Sequence, residues 1–190
     1  MKNNFLILDF DTIWDQINIL STEIIRSYKP DILIGISRGG LVITRLFSDI
    51  LGIEDIGIIG IGFYTNIGET TKEPTLIQEL TISIEGKKVL LIDDVSDSGR
   101  SLEFAVQYLK NKGLAEIKTV TLHYKPHSIF KPDYFITETT KWIVYPWEKI
   151  EFARLFYQNK LKSGLTKEQA IEKLRKLAII ENVSEKIIFD

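Results

Sequence analysis

The chain has no cysteine and only two histidines, His123 and His127, among its 190 residues. Without a thiol it can form neither a disulfide scaffold, nor a thiolate metal site, nor a cysteine nucleophile. Two histidines also argue against a zinc site built from imidazole ligands alone. The chemistry must therefore be carried by carboxylates, hydroxyls, amines and the backbone.

The chain also lacks an excess of charge of either sign and a long apolar run. It has 24 basic and 26 acidic residues, for a net charge of −2. This balance offers no basic field for a nucleic-acid backbone, so we expect no nucleic-acid partner. The apolar run at 56–64 is interrupted by three glycines and is far shorter than the ~20 residues of a membrane helix. The run at 5–8 is too short for a signal peptide, so we expect a cytoplasmic protein without a membrane partner.

Patterns of period two and period 3.6 alternate along the chain, which predicts an α/β fold. We expect a central, mostly parallel, twisted sheet flanked by helices, within a domain over residues 1–150. Strands are expected at 5–8, 31–36, 56–64, 78–84, 89–92, 117–124, 134–136 and 142–145, and helices from about residue 11, over 40–51 and over 101–112.

The last forty residues have a different character. From Glu151 onward they carry mixed charge and residues that favour helices, and Thr166 and Gln169 fit a capping box. We therefore expect a helical C-terminal extension over residues 151–190. Because its lysines are matched by acids, it is interpreted as an oligomer contact or a structural cap.

Acids and hydroxyls are concentrated directly after the apolar run 89–92. Asp93, Asp94 and Asp97 come first, and serines then surround Gly99 at an expected helix start. Adjacent carboxylates repel each other and need hydroxyl donors or a cation, whereas a helix start with free N–H groups binds an anion. The pattern fits a phosphorylated sugar with its diol on the acids, although a strand terminus followed by a turn is the plainer alternative.

This segment resembles the 5-phosphoribosyl-1-pyrophosphate (PRPP) binding motif of type I phosphoribosyltransferases. That motif is an apolar strand followed by Asp-Asp, an apolar residue, any residue, Asp and Thr-Gly-any-Thr. Ser98 and Ser101 replace the usual threonines and keep the hydroxyl. The resemblance implies that the two adjacent acids face the ribose with Mg²⁺, that Asp97 lies near the base, and that residues 97–101 hold the 5′-phosphate. The implied PRPP-binding residues are Asp93, Asp94, Ser96, Asp97, Ser98, Gly99, Arg100 and Ser101.

A second glycine turn lies upstream, over residues 34–40, between an expected strand and helix. Glycines there allow a close backbone approach to an anion, and Arg38 adds a positive charge. Alone this is a common turn, but it resembles the pyrophosphate loop of the same family. The resemblance assigns Ser37, Arg38 and Gly39 to pyrophosphate and places a cis peptide at Ser37–Arg38.

The segment from Thr65 to Leu76 is polar at first and has no clear period. By the resemblance it is the hood that closes over the reacting centre and excludes water, which would otherwise hydrolyse PRPP. An ordinary surface loop is the alternative reading.

Lys125, after an expected strand, and Trp142-Ile143 further on are similar to the base site of xanthine-guanine and hypoxanthine-guanine phosphoribosyltransferases. The resemblance implies that Lys125 donates to the 6-oxygen, that Trp142 stacks on the ring, and that the backbone of Ile143 meets its polar edge. Glu148 is placed near the metal or pyrophosphate. The alternative is a core tryptophan and a solvated lysine.

The implied activity is transfer of the phosphoribosyl group of PRPP to guanine, xanthine or hypoxanthine, with release of pyrophosphate, in purine salvage. Mg²⁺ is the implied cofactor, Asp97 handles the proton on the base, and Arg38 stabilises the departing pyrophosphate. PRPP, the base and the nucleoside monophosphate are the expected small-molecule partners of a homo-oligomer. A PRPP-sensing regulator without catalysis stays open. A phosphatase of the haloacid dehalogenase type, suggested by Asp9 and Asp11, fails because Ile13 stands where that family has threonine or valine.

Overall fold

The computed structural model describes residues 4–65 and 72–180. Contacts within the chain divide it into two compact units. One unit is Trp14–Thr140, and the other combines the residues up to Ile13 with those from Lys141 onward.

Strands and helices alternate along most of the chain, as the sequence periods predict. In order they are β1 (Phe5–Ile7), α1 (Phe10–Ser27), β2 (Ile32–Ser37), α2 (Gly40–Leu51), β3 (Ile56–Thr65), β4 (Lys72–Gln78), β5 (Lys88–Ser96), α3 (Arg100–Lys110), β6 (Glu116–Tyr124), β7 (Thr137–Glu138), β8 (Trp142–Val144), α4 (Lys149–Lys162) and α5 (Lys167–Lys176). Within the described ranges, no helix is both long and apolar enough to cross a membrane.

The Trp14–Thr140 unit contains a six-stranded sheet in the order β4-β3-β2-β5-β6-β7. Among the described residues, β3 and β4 are paired antiparallel and the other neighbours in this sheet are paired parallel. Residues 32–36 of β2 and 89–92 of β5 are all buried, as expected for central parallel strands covered on both faces. The expected mostly parallel α/β sheet is confirmed.

Helices α2 and α3 each bury one face, which in α2 combines Ile43 and Phe47 with small and hydroxyl-bearing residues. In α3 the buried residues are Leu102, Ala105, Val106 and Leu109, and they pack in one cluster with side chains of β2 and β5. Burying each large aliphatic side chain stabilises the fold by roughly 1.5–3 kcal/mol. This packing fixes where α3 begins, and therefore where the loop that precedes it lies.

The other unit is built on a two-stranded parallel sheet of β1 and β8, with α4 and α5. Its core cluster includes Val144, Phe152, Phe156 and Leu174. Helix α5 begins with the capping box expected at Thr166, whose side chain accepts the N–H of Gln169. The helical character expected after residue 150 is present as far as the structure describes the chain.

The expected strand at 78–84 is wrong. The antiparallel strand is β4, six residues earlier, while residues 79–87 have no regular structure. Leu80 and Ile84 are still buried, which explains the alternating pattern. Pro74 hid the true strand, because proline is tolerated in strands mainly at a sheet edge, where β4 lies. Part of the expected hood, residues 66–71, lies outside the described residues.

Candidate active site

The two loops singled out in the sequence follow neighbouring strands. β2 and β5 pair in parallel, with Ile34 opposite Leu91 and Gly35 opposite Ile92. The carboxyl ends of parallel strands meet at one edge of a sheet, where ligands of open α/β sheets bind. The glycine turn after β2 and the acids at the end of β5 are therefore side by side.

Contacts between this glycine turn and the acids are close. A methyl group added to Gly39 would overlap the carboxylate of Asp94. One added to Gly40 would lie 2.5 Å from the carbonyl oxygen of Ile92 and 3.3 Å from the Cα of Asp93. Only glycine lets the backbone of the turn pack this closely on the end of β5.

The paired acids lie in a poorly solvated place. Asp94 is only 8% exposed. Burial, and then the neighbouring charge of Asp94, raises the pKa of Asp93 well above its usual value, although backbone N–H groups of Asp94 and Gly40 partly offset this. The Asp94 N–H lies 3.0 Å from Asp93 Oδ1. Such a pair is stabilised by a proton, by hydroxyl donors or by a cation.

The segment after β5 forms an exposed loop that leads into α3. Asp97 and Ser98 are exposed, and Gly99 adopts the left-handed conformation with φ 81° immediately before Arg100, the first residue of α3. Gly99 has no side chain to cap the helix, and the Arg100 N–H donates to Ser98 Oγ at a long 3.4 Å. The N–H groups at the start of a helix are suited to binding an anion. This is the geometry expected for a phosphate loop.

Ser96 differs from the other serines of this segment. It is 1% exposed, and its hydroxyl donates to the carbonyl oxygen of Phe130 at 2.7 Å and lies 2.8 Å from Ser128 Oγ. Its hydroxyl is therefore engaged within the protein beneath the loop.

Two basic side chains of the segment after β6 lie close to Asp97. Lys125 is 7% exposed; burial lowers its pKa, and the charge of Asp97 partly offsets this. His127 Nε2 lies 3.5 Å from Asp97 Oδ1, with both side chains largely exposed. The structure thus brings the expected base-reading lysine and the expected proton acceptor into one neighbourhood.

The expected cis peptide is present: the Ser37–Arg38 bond is cis. The Arg38 side chain is exposed beside the glycine turn. Arg100, at the start of α3, is engaged by the neighbouring edge strand, since its Nη2 lies 2.7 Å from both carboxylate oxygens of Glu73 in β4.

A family model described as the phosphoribosyl transferase domain matches residues 7–152. The chain belongs to the phosphoribosyltransferase family. Both the fold and the enzyme class that the sequence motifs implied are thereby confirmed, because the match covers both loops and the segment after β6.

Relatives of this phosphoribosyltransferase include purine enzymes. The xanthine-guanine phosphoribosyltransferase of Idiomarina loihiensis is 25% identical over 146 residues, 74% of this chain and 87% of that protein. The bifunctional protein TilS/HprT of Listeria innocua is 28% identical over 124 residues, 64% of this chain but only 19% of that protein. The crystal structure of a purine phosphoribosyltransferase from Pyrococcus horikoshii Ot3 superposes with a TM-score of 0.70 and 35% identity, covering 76% of this chain and 93% of that chain.

Trp142, Ile143 and Glu148 of this phosphoribosyltransferase belong to the other unit. Trp142 is 60% exposed, so the alternative of a core tryptophan is wrong, whereas Ile143 is buried. Trp142 and Phe5 are among the residues that line an apolar cavity of about 300 Å³. Glu148 accepts the N–H of Tyr145 at 3.2 Å through Oε1.

The residues present suit magnesium held jointly with a substrate. Among the described residues no group of three or more His, Cys, Asp or Glu is placed to hold a metal ion. Mg²⁺ is commonly bound by one or two carboxylates together with substrate phosphates rather than by an all-protein cage. Asp93 and Asp94 provide such a pair of hard oxygen donors.

Three side chains at this site were missed by sequence reasoning. Glu73 lies in the segment that the sequence assigns to the hood or to a surface loop. Its ion pair with Arg100 could not be foreseen, because β4 was not predicted. His127 and Ser128 follow Lys125 at the end of β6. Their position after a strand neighbouring β5 was the only available signal.

Proposed function

We propose that this phosphoribosyltransferase transfers the 5-phosphoribosyl group of PRPP to a 6-oxopurine base and releases pyrophosphate. The observation that carries the proposal is the packing of Gly39 on the carboxylate of Asp94. It joins an anion-binding turn after β2 to the pair of acids at the end of the neighbouring strand β5. PRPP has this pairing of groups, a pyrophosphate beside a ribose diol.

Each part of PRPP has a partner in the proposal. The diol faces Asp93 and Asp94, and the 5′-phosphate binds the backbone N–H groups and hydroxyls of residues 97–101. The pyrophosphate binds at Ser37, Arg38 and Gly39. Ser96 supports the loop from below, because its hydroxyl is bonded within the protein.

The proposal includes Mg²⁺ held by Asp93 and Asp94 together with substrate oxygens. When bound, the ion offsets the negative charge that builds on pyrophosphate as it departs. The raised pKa of Asp93 fits this role, because burial and the charge of Asp94 disfavour its ionised form, which a bound cation would stabilise. Glu148 stays a further candidate ligand on the resemblance alone.

The reaction is a displacement at the anomeric carbon of the ribose. A ring nitrogen of the base forms the new bond to that carbon while the bond to the pyrophosphate oxygen breaks, and the base loses a proton. Arg38 stabilises the charge on the leaving group, a kind of electrostatic term that is usually large in catalysis. Asp97 is exposed beside Lys125 and His127 and accepts the proton.

Base selection rests on Lys125 in this proposal. A lysine has donors only, so it bonds the 6-oxygen of an oxopurine and finds no acceptor on the amino group of adenine. A largely buried lysine loses more when that acceptor is missing than a solvated one would. The names of the Idiomarina and Pyrococcus relatives support a purine substrate. Stacking on Trp142 and edge contacts from Ile143 rest on the resemblance. A homo-oligomer and a cytoplasmic location stay expectations drawn from the sequence.

The test is a turnover panel in which the protein, PRPP and Mg²⁺ meet guanine, xanthine, hypoxanthine or adenine. Pyrophosphate release with one or more oxopurines, at a rate far above that with adenine, is the expected result. An Asp94→Asn variant prepared identically controls for a contaminating enzyme. PRPP binding without turnover of any purine would favour the regulator instead.

A further inference from the structure

Two serine hydroxyls, those of Ser96 and Ser128, lie between the phosphate loop (residues 97–101) and the segment after β6 (residues 125–130). Ser96 Oγ is 2.8 Å from Ser128 Oγ and donates to the carbonyl oxygen of Phe130 at 2.7 Å. Ser128 Oγ also donates to the carbonyl oxygen of Phe130, at 3.1 Å. Each hydroxyl has one proton, so when one serine donates to Phe130 the other can donate to its serine partner. Ser128 Oγ also accepts the N–H of Phe130 at 3.3 Å.

Backbone bonds join the same two segments. The Lys125 N–H donates to the carbonyl of Ser96 at 3.0 Å, and the Ile129 N–H donates to the carbonyl of Ser98 at 3.0 Å. The loop between Ser96 and Ser98 therefore cannot shift without disturbing the segment that begins at Lys125.

Gly99 packs tightly against Ser128 and Phe130. A methyl group added there would overlap Ser128 Oγ and lie 2.5 Å from the Phe130 nitrogen. Because Gly99 is the last residue before α3, Ser128 lies directly against the backbone that presents the anion-binding N–H groups.

We propose that Ser128 is a positioning residue that couples phosphate binding to base binding. The inference rests on the proposed function, in which residues 97–101 hold the 5′-phosphate and Lys125 reads the base. The hydroxyl of Ser128 contacts the hydroxyl of Ser96, which supports the loop. The backbone N–H of Ser128 donates to the carbonyl of Lys125 at 2.9 Å.

Coupling of this kind is reciprocal. A bound phosphate orders the loop and raises the affinity for the base, and a bound base raises the affinity for the phosphate by the same factor. Removing the Ser128 hydroxyl leaves the phosphate donors and the lysine in place. The separate affinities should then change little, while their interdependence falls.

The experiment measures the affinity of ribose 5-phosphate by calorimetry, with and without saturating hypoxanthine, because this pair cannot react. The wild-type protein should bind ribose 5-phosphate at least about 5-fold more tightly when hypoxanthine is present, which is the lower end of usual coupling. In Ser128→Ala this factor should fall below about 2-fold, and Ser128→Thr, which keeps a hydroxyl, should recover most of it.

Two further variants keep the test decisive. Ser96→Ala breaks the same hydroxyl contact from the other side and should lower the factor in the same way. Ser83→Ala removes an exposed serine hydroxyl and should leave the factor unchanged. An undiminished factor in folded Ser128→Ala or Ser96→Ala, or no enhancement in a wild-type protein that binds both ligands, would overturn the coupling. Failure of the wild-type protein to bind either ligand would instead overturn the proposed function.

Discussion

Gly39 lies directly against the carboxylate of Asp94, so that even a methyl group at Gly39 would overlap it. The Gly39→Ala variant should therefore displace the acid, the turn, or both. Because a misplacement of about 1 Å near reacting groups can cost roughly 100-fold, we expect kcat/KM to fall by about that factor. Steady-state kinetics with PRPP and an oxopurine measures the effect.

Gly52→Ala provides the matched control for this substitution. Gly52 ends α2 with φ 66° and has no atom near a new methyl group. The variant should lose about 1–2 kcal/mol of stability from backbone strain and keep wild-type kinetics. If the Gly39 variant were no less active than this control, the contact with Asp94 would have no part in the reaction.

Asp94 is expected to matter for PRPP far more than for stability. Asp94→Asn keeps the shape of the side chain but removes a charge that the proposal places beside ribose and Mg²⁺. We expect kcat/KM for PRPP to fall by about 100-fold or more and the magnesium concentration for half-maximal rate to rise. A variant with unchanged magnesium dependence would remove this acid from the metal site.

Lys125→Met tests what reads the base. The variant keeps much of the apolar length of the side chain and removes its donors, so kcat/KM for oxopurines should fall by about 100-fold or more while the KM for PRPP changes little. Lys131→Met, at an exposed lysine close to the Phe135 ring, is the control. Equal losses in both variants would indicate a general effect of charge.

Glu73 and Arg100 should contribute a modest, measurable coupling. Their side chains are 53% and 30% exposed, and exposed ion pairs contribute about 0.2–1 kcal/mol. A double-mutant cycle with Glu73→Gln and Arg100→Gln, followed by urea unfolding, should give a coupling free energy in that range. Additive losses would show that the pair does not anchor β4 to the start of α3.

His123 makes stability depend on pH. It is 1% exposed, and burial, followed by the charge of Lys125, lowers its pKa from 6.5 to about 4. Between these values the unfolded chain binds a proton that the folded chain does not, so stability is full above pH 6.5 and falls as the pH drops toward 4. At pH 5 the loss is about 2 kcal/mol.

Urea unfolding at pH 7 and pH 5 measures this loss, with His123→Gln as the comparison. The glutamine does not titrate, so the variant should lose about 2 kcal/mol less than the wild-type protein over this interval. Parallel behaviour of the two proteins would show that His123 is not held neutral in the folded state.

Local sequence signals were sufficient where one strand or turn determines the outcome. The apolar run before Asp93 is a buried central strand because only a strand covered on both faces is apolar throughout. Gly99 takes a positive φ at the expected helix start. The resemblance of residues 34–40 to a pyrophosphate loop also implied the cis bond at Ser37–Arg38. No periodicity of the sequence could have indicated it.

Features that depend on contacts distant in the sequence could not be predicted. β4 is defined by its antiparallel pairing with β3. The local sequence, which contains Pro74, did not indicate a strand there. Ser96 and Ser98 look alike in the motif, yet one is bonded beneath the loop and the other is exposed. Only the position of Phe130 and Ser128, more than thirty residues away, distinguishes them.

A crystal structure of the protein with a purine nucleoside 5′-monophosphate tests the central claim most directly. The account predicts the phosphate among the N–H groups and hydroxyls of residues 97–101, with the ribose diol facing Asp93 and Asp94. Density that placed the phosphate away from this loop, or turned the ribose away from both acids, would contradict it.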